Sequence, residues 1–214
     1  MAKHASSINP NSDLRDSQPL TRPLDGHAAI VTGAGWGIGR AVAIRLALEG
    51  ARVVGIARTR SQLEETVACI KANAQGSGAD AVAIAFDPCD IDRIPSLVQE
   101  IHQRLGGNMV DILVNSAGIA RIDALECQPD MKIWQQVLTT NLNAPVALTT
   151  ALLPFMLSAG RGTIISMGSL CAVVDVPYLS AYAASKTALL RFHHDLQSEV
   201  GVRGSGITTC SRGT

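Results

Sequence analysis

An α/β fold with a doubly wound parallel sheet is what this sequence predicts, and three observations predict it. Short apolar runs alternate with helix-length amphipathic stretches from about residue 26 to the C-terminus, the pattern of right-handed strand–helix–strand units. Hydrophobic residues make up 47% of the chain but aromatics only 3%. The core must therefore be built from Ala, Val, Leu and Ile, which suit a sheet buried on both faces by closely packed helices. A cluster of glycines follows the first apolar run and opens the first helical pattern, where a tight, side-chain-free turn is expected.

In order, Ala28–Thr32 is the first strand and Ile38–Leu48 the first helix, closed by Gly50. Arg52–Ala57 is the second strand. Ser61 and Glu64 have capping-box spacing, which starts a helix there that runs to about Asn73. Ala81–Phe86, Val110–Asn115 and Thr163–Ser166 are strands three to five, with a helix over Ile94–Leu105 and a long helical region over Met131–Leu157. Leu179–Glu199 is a strong helix, and a sixth strand starts at Gly206–Thr209. Ligands in such sheets bind at the carboxyl ends of the strands, where the strand order reverses.

Residues 1–25 are rich in Ser, Asn, Asp and Pro. Such a composition cannot offset its ordering entropy, so a flexible tail is expected, with one domain over residues 26–214. Lys+Arg and Asp+Glu number 18 each. That balance leaves no basic stripe for nucleic acid. Cys69, Cys89, Cys127, Cys171 and Cys210 are dispersed without a CxxC pair, and read as reduced thiols that fill the core or stand by. The longest apolar stretch, Ala144–Leu157, is interrupted by Pro145, Thr149, Thr150 and Pro154 and is shorter than the roughly 20 residues that span a bilayer. There is no signal-peptide pattern. A soluble, cytoplasmic protein without a membrane partner is expected. His193 and His194 are adjacent and point to different helix faces, which reads as surface or interface rather than a metal pair.

The glycines, Gly33, Gly37 and Gly39 of Thr32-Gly33-Ala34-Gly35-Trp36-Gly37-Ile38-Gly39, have GxxxGxG spacing. They let backbone approach a phosphate, and the helix N-terminus behind them supplies free N–H groups and a positive dipole end. At the end of strand two, where an NAD site commonly carries Asp or Glu for the ribose hydroxyls, the chain has Arg58, with Arg60 beyond. An Arg there accommodates a 2′-phosphate, which favours NADP(H) over NAD(H).

At these residues the chain resembles the short-chain dehydrogenase/reductase family, whose fold is of Rossmann type. The resemblance covers about Gly26 to Gly206. The glycine turn is similar to the family's TGxxxGxG. Asn115-Ser116-Ala117-Gly118 resembles its NNAG, with Ser for the second Asn, and Tyr182-Ala-Ala-Ser-Lys186 resembles its YxxxK. Ser169 stands 182 − 169 = 13 residues before the Tyr, and Asn141 stands 182 − 141 = 41 before it. These offsets are similar to those of the family's catalytic Ser and Asn.

The chemistry needs these residue types. Hydride transfer to a carbonyl leaves an alkoxide that must gain a proton. A phenol with its ordinary pKa of ~10 becomes a useful acid and base near neutrality only beside a cation. Lys186, four residues along a helix, shares a face with Tyr182, and Ser169 would hold the substrate oxygen. The resemblance further implies that Lys186 binds the nicotinamide ribose, that Asn141 holds a proton-relay water, and that Asp87 contacts the adenine. It also places Thr32, Gly33, Gly37, Ile38, Gly39, Arg58, Asn115, Ala117 and Gly118, with Tyr182 and Lys186, around the cofactor. Trp36 departs from the basic residue that NADP-preferring relatives often carry there.

Relatives continue past the sixth strand into a Pro-Gly cofactor loop, a substrate lid and a seventh strand. Here Arg212-Gly213 occupies the Pro-Gly place and Thr214 is the last residue. A truncated member, without the final strand and lid, is therefore expected. The leading reading is an NADP(H)-dependent carbonyl reductase or alcohol dehydrogenase acting on a small molecule and assembling as a homodimer or homotetramer. The alternatives are a catalytically impaired dinucleotide-binding protein that senses the cofactor or pairs with a full-length relative, and an extended-type epimerase or dehydratase.

Overall fold

The computed structural model describes residues 22–73, 80–122, 124–125, 130–202 and 207–212. Its strands are β1 (Ala28–Thr32), β2 (Arg52–Ala57), β3 (Ala81–Ala85), β4 (Ile112–Asn115), β5 (Gly162–Met167) and β6 (Ile207–Arg212). Its helices are α1 (Gly37–Leu48), α2 (Arg60–Asn73), α3 (Ile94–Arg104), α4 (Met131–Leu138), α5 (Ala144–Ala159) and α6 (Ser180–Val202). The six strands form one sheet in the order β3-β2-β1-β4-β5-β6, and every neighbouring pair is parallel. The order reverses between β1 and β4, so a crevice opens at the carboxyl ends of those two strands.

The two faces of the sheet carry separate apolar layers, as the period of two along each strand requires. Ala29, Val31, Val53 and Val114 pack with Ala43 and Ala47 of α1 and Leu63 and Ile70 of α2. Ile30, Leu113 and Ile164 face the other way, against α3, α5 and the Leu196 and Val200 side chains of α6. Ile30, Leu113 and Ile164 are cross-strand partners, and all three are 0% exposed. Removing such a side chain from water contributes about 1.5–3 kcal/mol. Two residues further along, the same row becomes Thr32, Asn115 and Ser166. The change from apolar to polar marks where core ends and site begins.

Several details differ from the sequence expectation. Helix α2 starts one residue before Ser61, with Leu63 N donating to Thr59 O. Ser61 is therefore inside the helix, and Glu64 pairs with Arg60 rather than closing a capping box. The helical run from Met131 is continuous to Ala159 but contains a π-helical turn over Thr139–Asn143. By length and composition this run could cross a membrane, unlike the shorter Ala144–Leu157 stretch considered alone. In the fold, Leu148, Leu152 and Met156 of α5 are buried in the layer against the sheet.

Arg22–Asp25, grouped with the tail by composition, make a turn held by an Arg22–Asp25 ion pair, and Leu24 N donates to Glu49 O at 2.9 Å. The rest of that tail, residues 1–21, lies outside the described residues. Cys69, Cys89 and Cys171 are free thiols and none is buried, so they are bystanders and not core filler. Cys127 and the side chain of Cys210 lie outside what is described.

Candidate active site

The glycine turn leaves β1 at Thr32 and enters α1 at Gly37. Gly33 has φ +69°, and a Cβ there would stand 2.9 Å from the backbone N and Cα of Ala117. Only glycine lets these two loops touch. Gly37, at φ +57°, has open space where a side chain would go. Trp36, at the N-cap of α1, makes no side-chain capping bond, and no acidic residue sits in the first turn. The α1 N-terminus thus keeps its dipole and N–H groups available to an anion.

A cleft with about 850 Å³ of open space runs from this turn across the sheet end. Thr32, Gly33, Arg58, Asn115, Ala117 and Gly118 line it, together with Trp36, Thr59, Gln62, Phe86 and Pro88. Arg58 is exposed on its rim. Arg60 is turned to Glu64 at 3.0 Å and Arg40 to Glu65 at 3.3 Å, so both are already engaged by carboxylates.

Thr32 and Asn115 serve the frame of the cleft as well as its lining. The Thr32 hydroxyl accepts from Ser116 N at 3.0 Å and Ala117 N at 3.1 Å, fixing the loop after β4. Asn115, 2% exposed, donates through Nδ2 to Thr149 Oγ1 and Ser166 Oγ, each at 3.3 Å.

Ser169 follows β5, where its Oγ accepts from Cys171 N at 3.2 Å and starts a short 3₁₀ turn. Asn141 lies in the π-helical turn, 0% exposed. Its Oδ1 accepts from Ile119 N at 2.8 Å, and its Nδ2 donates to Ile119 O at 2.9 Å and Ser185 Oγ at 3.1 Å. Both amide N–H groups are thus spent on clamping the loop after β4 to α6.

On α6, Lys186 Nζ lies 5.8 Å from the centre of the Tyr182 ring and donates to Met167 O at 2.7 Å. Lys186 is 5% exposed, and burial lowers its pKa from 10.5 to about 8. A Cβ on Gly118 would be 3.7 Å from that amine, so the Asn115–Gly118 loop, β5 and α6 converge here. Asp87 is half-buried at the end of β3, where its Oδ1 accepts from Cys89 N at 2.9 Å. Ile38 and Gly39 lie in the first turn of α1, Ile38 exposed and Gly39 buried.

The pair of histidines is a correction. His194 is exposed, but His193 is 2% exposed, with Nε2 2.6 Å from Ser166 Oγ. It occupies the α6 face that holds Lys186, seven residues earlier, and that face lies against the sheet. No cluster of potential metal ligands occurs among the described residues. Sequence reading also missed Ser185, Thr149 and Ser166. Ser185 sits inside the Tyr182–Lys186 motif and could have been noticed there; the other two carry no local signal.

A parallel sheet reversing at β1/β4, with a glycine-lined cleft at that point, defines a dinucleotide-binding α/β protein. More narrowly, the chain belongs to the short-chain dehydrogenase family, whose family model matches residues 27–213. The family comprises NAD(P)-binding oxidoreductases. Over 201 residues the chain is 41% identical to a short chain dehydrogenase of Pseudocercospora fijiensis, covering 91% of this chain and 62% of that one. It is 35% identical over 190 residues to the 3-oxoacyl-acyl-carrier-protein reductase of Pseudomonas aeruginosa, covering 89% and 74%. Among solved structures, a metagenomic short-chain oxidoreductase in complex with NADP superposes with a TM-score of 0.80 at 32% identity, covering 89% of this chain and 84% of that one. The chain spans less than two thirds of the length of some curated relatives that it matches, 62% and 64% for two of them.

Proposed function

We propose that this chain transfers a hydride between NADP(H) and a carbonyl or alcohol on a small molecule, with Tyr182 as the acid and base. The observation that carries the reading is the buried Lys186 ammonium, fastened to Met167 O at 2.7 Å and 5.8 Å from the Tyr182 ring. A buried cation beside a phenol, next to Gly118 of the cleft wall, is an arrangement for moving a proton.

The residues present fit a dinucleotide. Gly33 and Gly37 leave a cradle that a Cβ would strain or fill, and the uncapped α1 N-terminus faces it. Arg58 supports a 2′-phosphate at the rim, which favours NADP(H) over NAD(H). Asp87, between the lining residues Phe86 and Pro88, is assigned to the adenine by this reading, and Asn115, Ala117 and Gly118 line the cleft. When bound, the nicotinamide supplies or accepts the hydride.

The chain's own residues do the rest. Ser169 Oγ holds the substrate oxygen by a hydrogen bond. Tyr182 Oη gives its proton to that oxygen as negative charge develops there, or removes it in the alcohol direction. Lys186 stabilises the negative charge left on Oη, more strongly in a site from which water is excluded than in bulk. Asn141 keeps the loop after β4 and α6 at a fixed separation through Ile119 and Ser185. A proton-relay role for Asn141 belongs to this proposal and would fall to an acceptor, its backbone carbonyl or the second lone pair of Oδ1, because both amide N–H groups are engaged.

We place the working protein in the cytoplasm as a homodimer or homotetramer. The test is initial-rate measurement on a panel of ketones, aldehydes and 3-oxoacyl thioesters with NADPH, alongside fluorescence titration of NADPH. Tight NADPH binding without turnover of any of these would replace the enzyme reading by that of a cofactor-binding relative.

A further inference from the structure

Helix α6 is fastened to the end of β5 at two points. Lys186 Nζ holds Met167 O, and two turns further on His193 Nε2 meets Ser166 Oγ at 2.6 Å. Seven residues of helix separate these contacts by roughly 10 Å. Helix α6 is also held by Ser185, which accepts from Asn141 Nδ2 at 3.1 Å, and by Leu196 and Val200 in the apolar layer, but the Lys186 and His193 contacts are those that set it against the end of β5. Ser166 is itself held from β4 by Asn115 Nδ2 at 3.3 Å, and Asn115 reaches on to Thr149 of α5 at 3.3 Å. His193, Ser166, Asn115 and Thr149 are each at most 2% exposed. The four side chains thus join α5, β4, β5 and α6 in one buried polar chain, whose Ser166 precedes the Met167 carbonyl that Lys186 holds.

We propose that His193 is a positioning residue for the reaction: by fixing α6 against β5, it sets where the Tyr182 hydroxyl and the Lys186 ammonium stand relative to Ser169. The proposal rests on the reading of Tyr182, Lys186 and Ser169 given above. An apolar residue of similar size would fill the space equally well, so the choice of a histidine needs the hydrogen bond to explain it. Among the described residues His193 Nδ1 has no hydrogen-bond partner, so the Ser166 contact at Nε2 is what anchors the ring. Burial, with the neighbouring His194, also lowers the His193 pKa, so the ring is neutral at physiological pH and either it or Ser166 donates.

The experiment compares His193→Leu, Ser166→Ala and His193→Gln in the full chain. The Gln amide can place a nitrogen near the position of the imidazole Nε2. The first readout is acylation of Lys186 by a small anhydride, followed by mass spectrometry and normalised to the exposed Lys132; it needs no substrate. Loss of one buried hydrogen bond should raise Lys186 labelling by about tenfold in His193→Leu and in Ser166→Ala, while His193→Gln stays within about twofold of the parent. The second readout is kinetic: in His193→Leu kcat falls by a larger factor than the KM for NADPH rises. Unchanged Lys186 labelling in folded His193→Leu or Ser166→Ala overturns the proposal, as does a His193→Gln that behaves like His193→Leu. Should His193→Leu not fold, Ser166→Ala, which also removes an acceptor of Asn115 Nδ2, is compared with Asn115→Ala: labelling raised in the first alone supports the proposal, and labelling raised equally in both overturns it. Labelling that follows the expected order in a chain that reduces no carbonyl supports the fastening of α6 while removing the enzymatic reading.

Discussion

Lys186 and Met167 are joined by a 2.7 Å hydrogen bond from the buried ammonium to a strand-end carbonyl. The contact ties α6 to the strand that leads to Ser169. It also leaves the cation with little water around it, and burial lowers its pKa to about 8. Because the folded value lies below the ordinary 10.5, the folded state releases this proton earlier than the unfolded chain does. Lys186 therefore costs stability below pH 8, and that cost is relieved as pH rises from about 8 toward 10.5. The full relief is about 3 kcal/mol at ~1.4 kcal/mol per pKa unit. Urea midpoints at pH 7 and pH 9.5 should rise more in the parent than in Lys186→Met; equal rises in the two proteins would contradict the burial argument.

Tyr182→Phe removes one oxygen and leaves the ring beside Lys186. Turnover should fall by at least about a thousandfold, in line with loss of a general acid, while NADPH affinity measured by fluorescence stays within a few-fold. A Phe variant that keeps most of its rate would show that the proton comes from elsewhere.

Arg58→Asp tests the cofactor. Arg58 is exposed at the cleft rim, whereas Arg60 and Arg40 are engaged by Glu64 and Glu65. Losing one charge-assisted contact to a 2′-phosphate, about 1.5–3 kcal/mol, should shift the NADPH/NADH preference ten- to hundredfold toward NADH. An affinity ratio that does not change would remove Arg58 from the assignment.

How far the sequence could be read follows from which signals are local. The parallel, doubly wound sheet follows from strand–helix alternation, because crossovers in one sheet have one hand, whereas the strand order is seen only in the fold. The glycine turn could be read because GxxxGxG is a backbone requirement, seen in the Gly33 contact with Ala117. Tyr182 and Lys186 could be read because four residues on a helix fix a shared face. His193 was misjudged because two adjacent histidines were weighed against each other and not against the helix face. Counting seven residues back to Lys186 places His193 inward. Ser166 and Thr149 lie on different elements from their partners, so only the assembled sheet brings them together. Asn141 stands in a π-helical turn that no residue pattern announced.

At the opposite end of the sheet, Asp111 offers a stability prediction independent of the chemistry. Its carboxylate is 6% exposed, accepts from Ala28 N at 2.9 Å and from Arg161 Nε at 2.8 Å, and lies 3.5 Å from His27 Nδ1. It thus joins the start of β1 to the residue just before β5. Asp111→Ala would leave the buried Ala28 N–H without an acceptor and Arg161 without a counter-charge. Arg161 is 60% exposed and stays hydrated, so the main loss is the buried amide's partner, and about 2–3 kcal/mol is expected. Asp111→Asn keeps an oxygen for Ala28 N and should lose less than half of that. The site lies at the other ends of the strands, so the effect should appear in the urea midpoint and not in NADPH affinity at temperatures where the chain is folded. A parallel loss of affinity in a folded Asp111→Ala protein would mean that the two ends of the sheet are coupled and that this carboxylate is more than a local clamp.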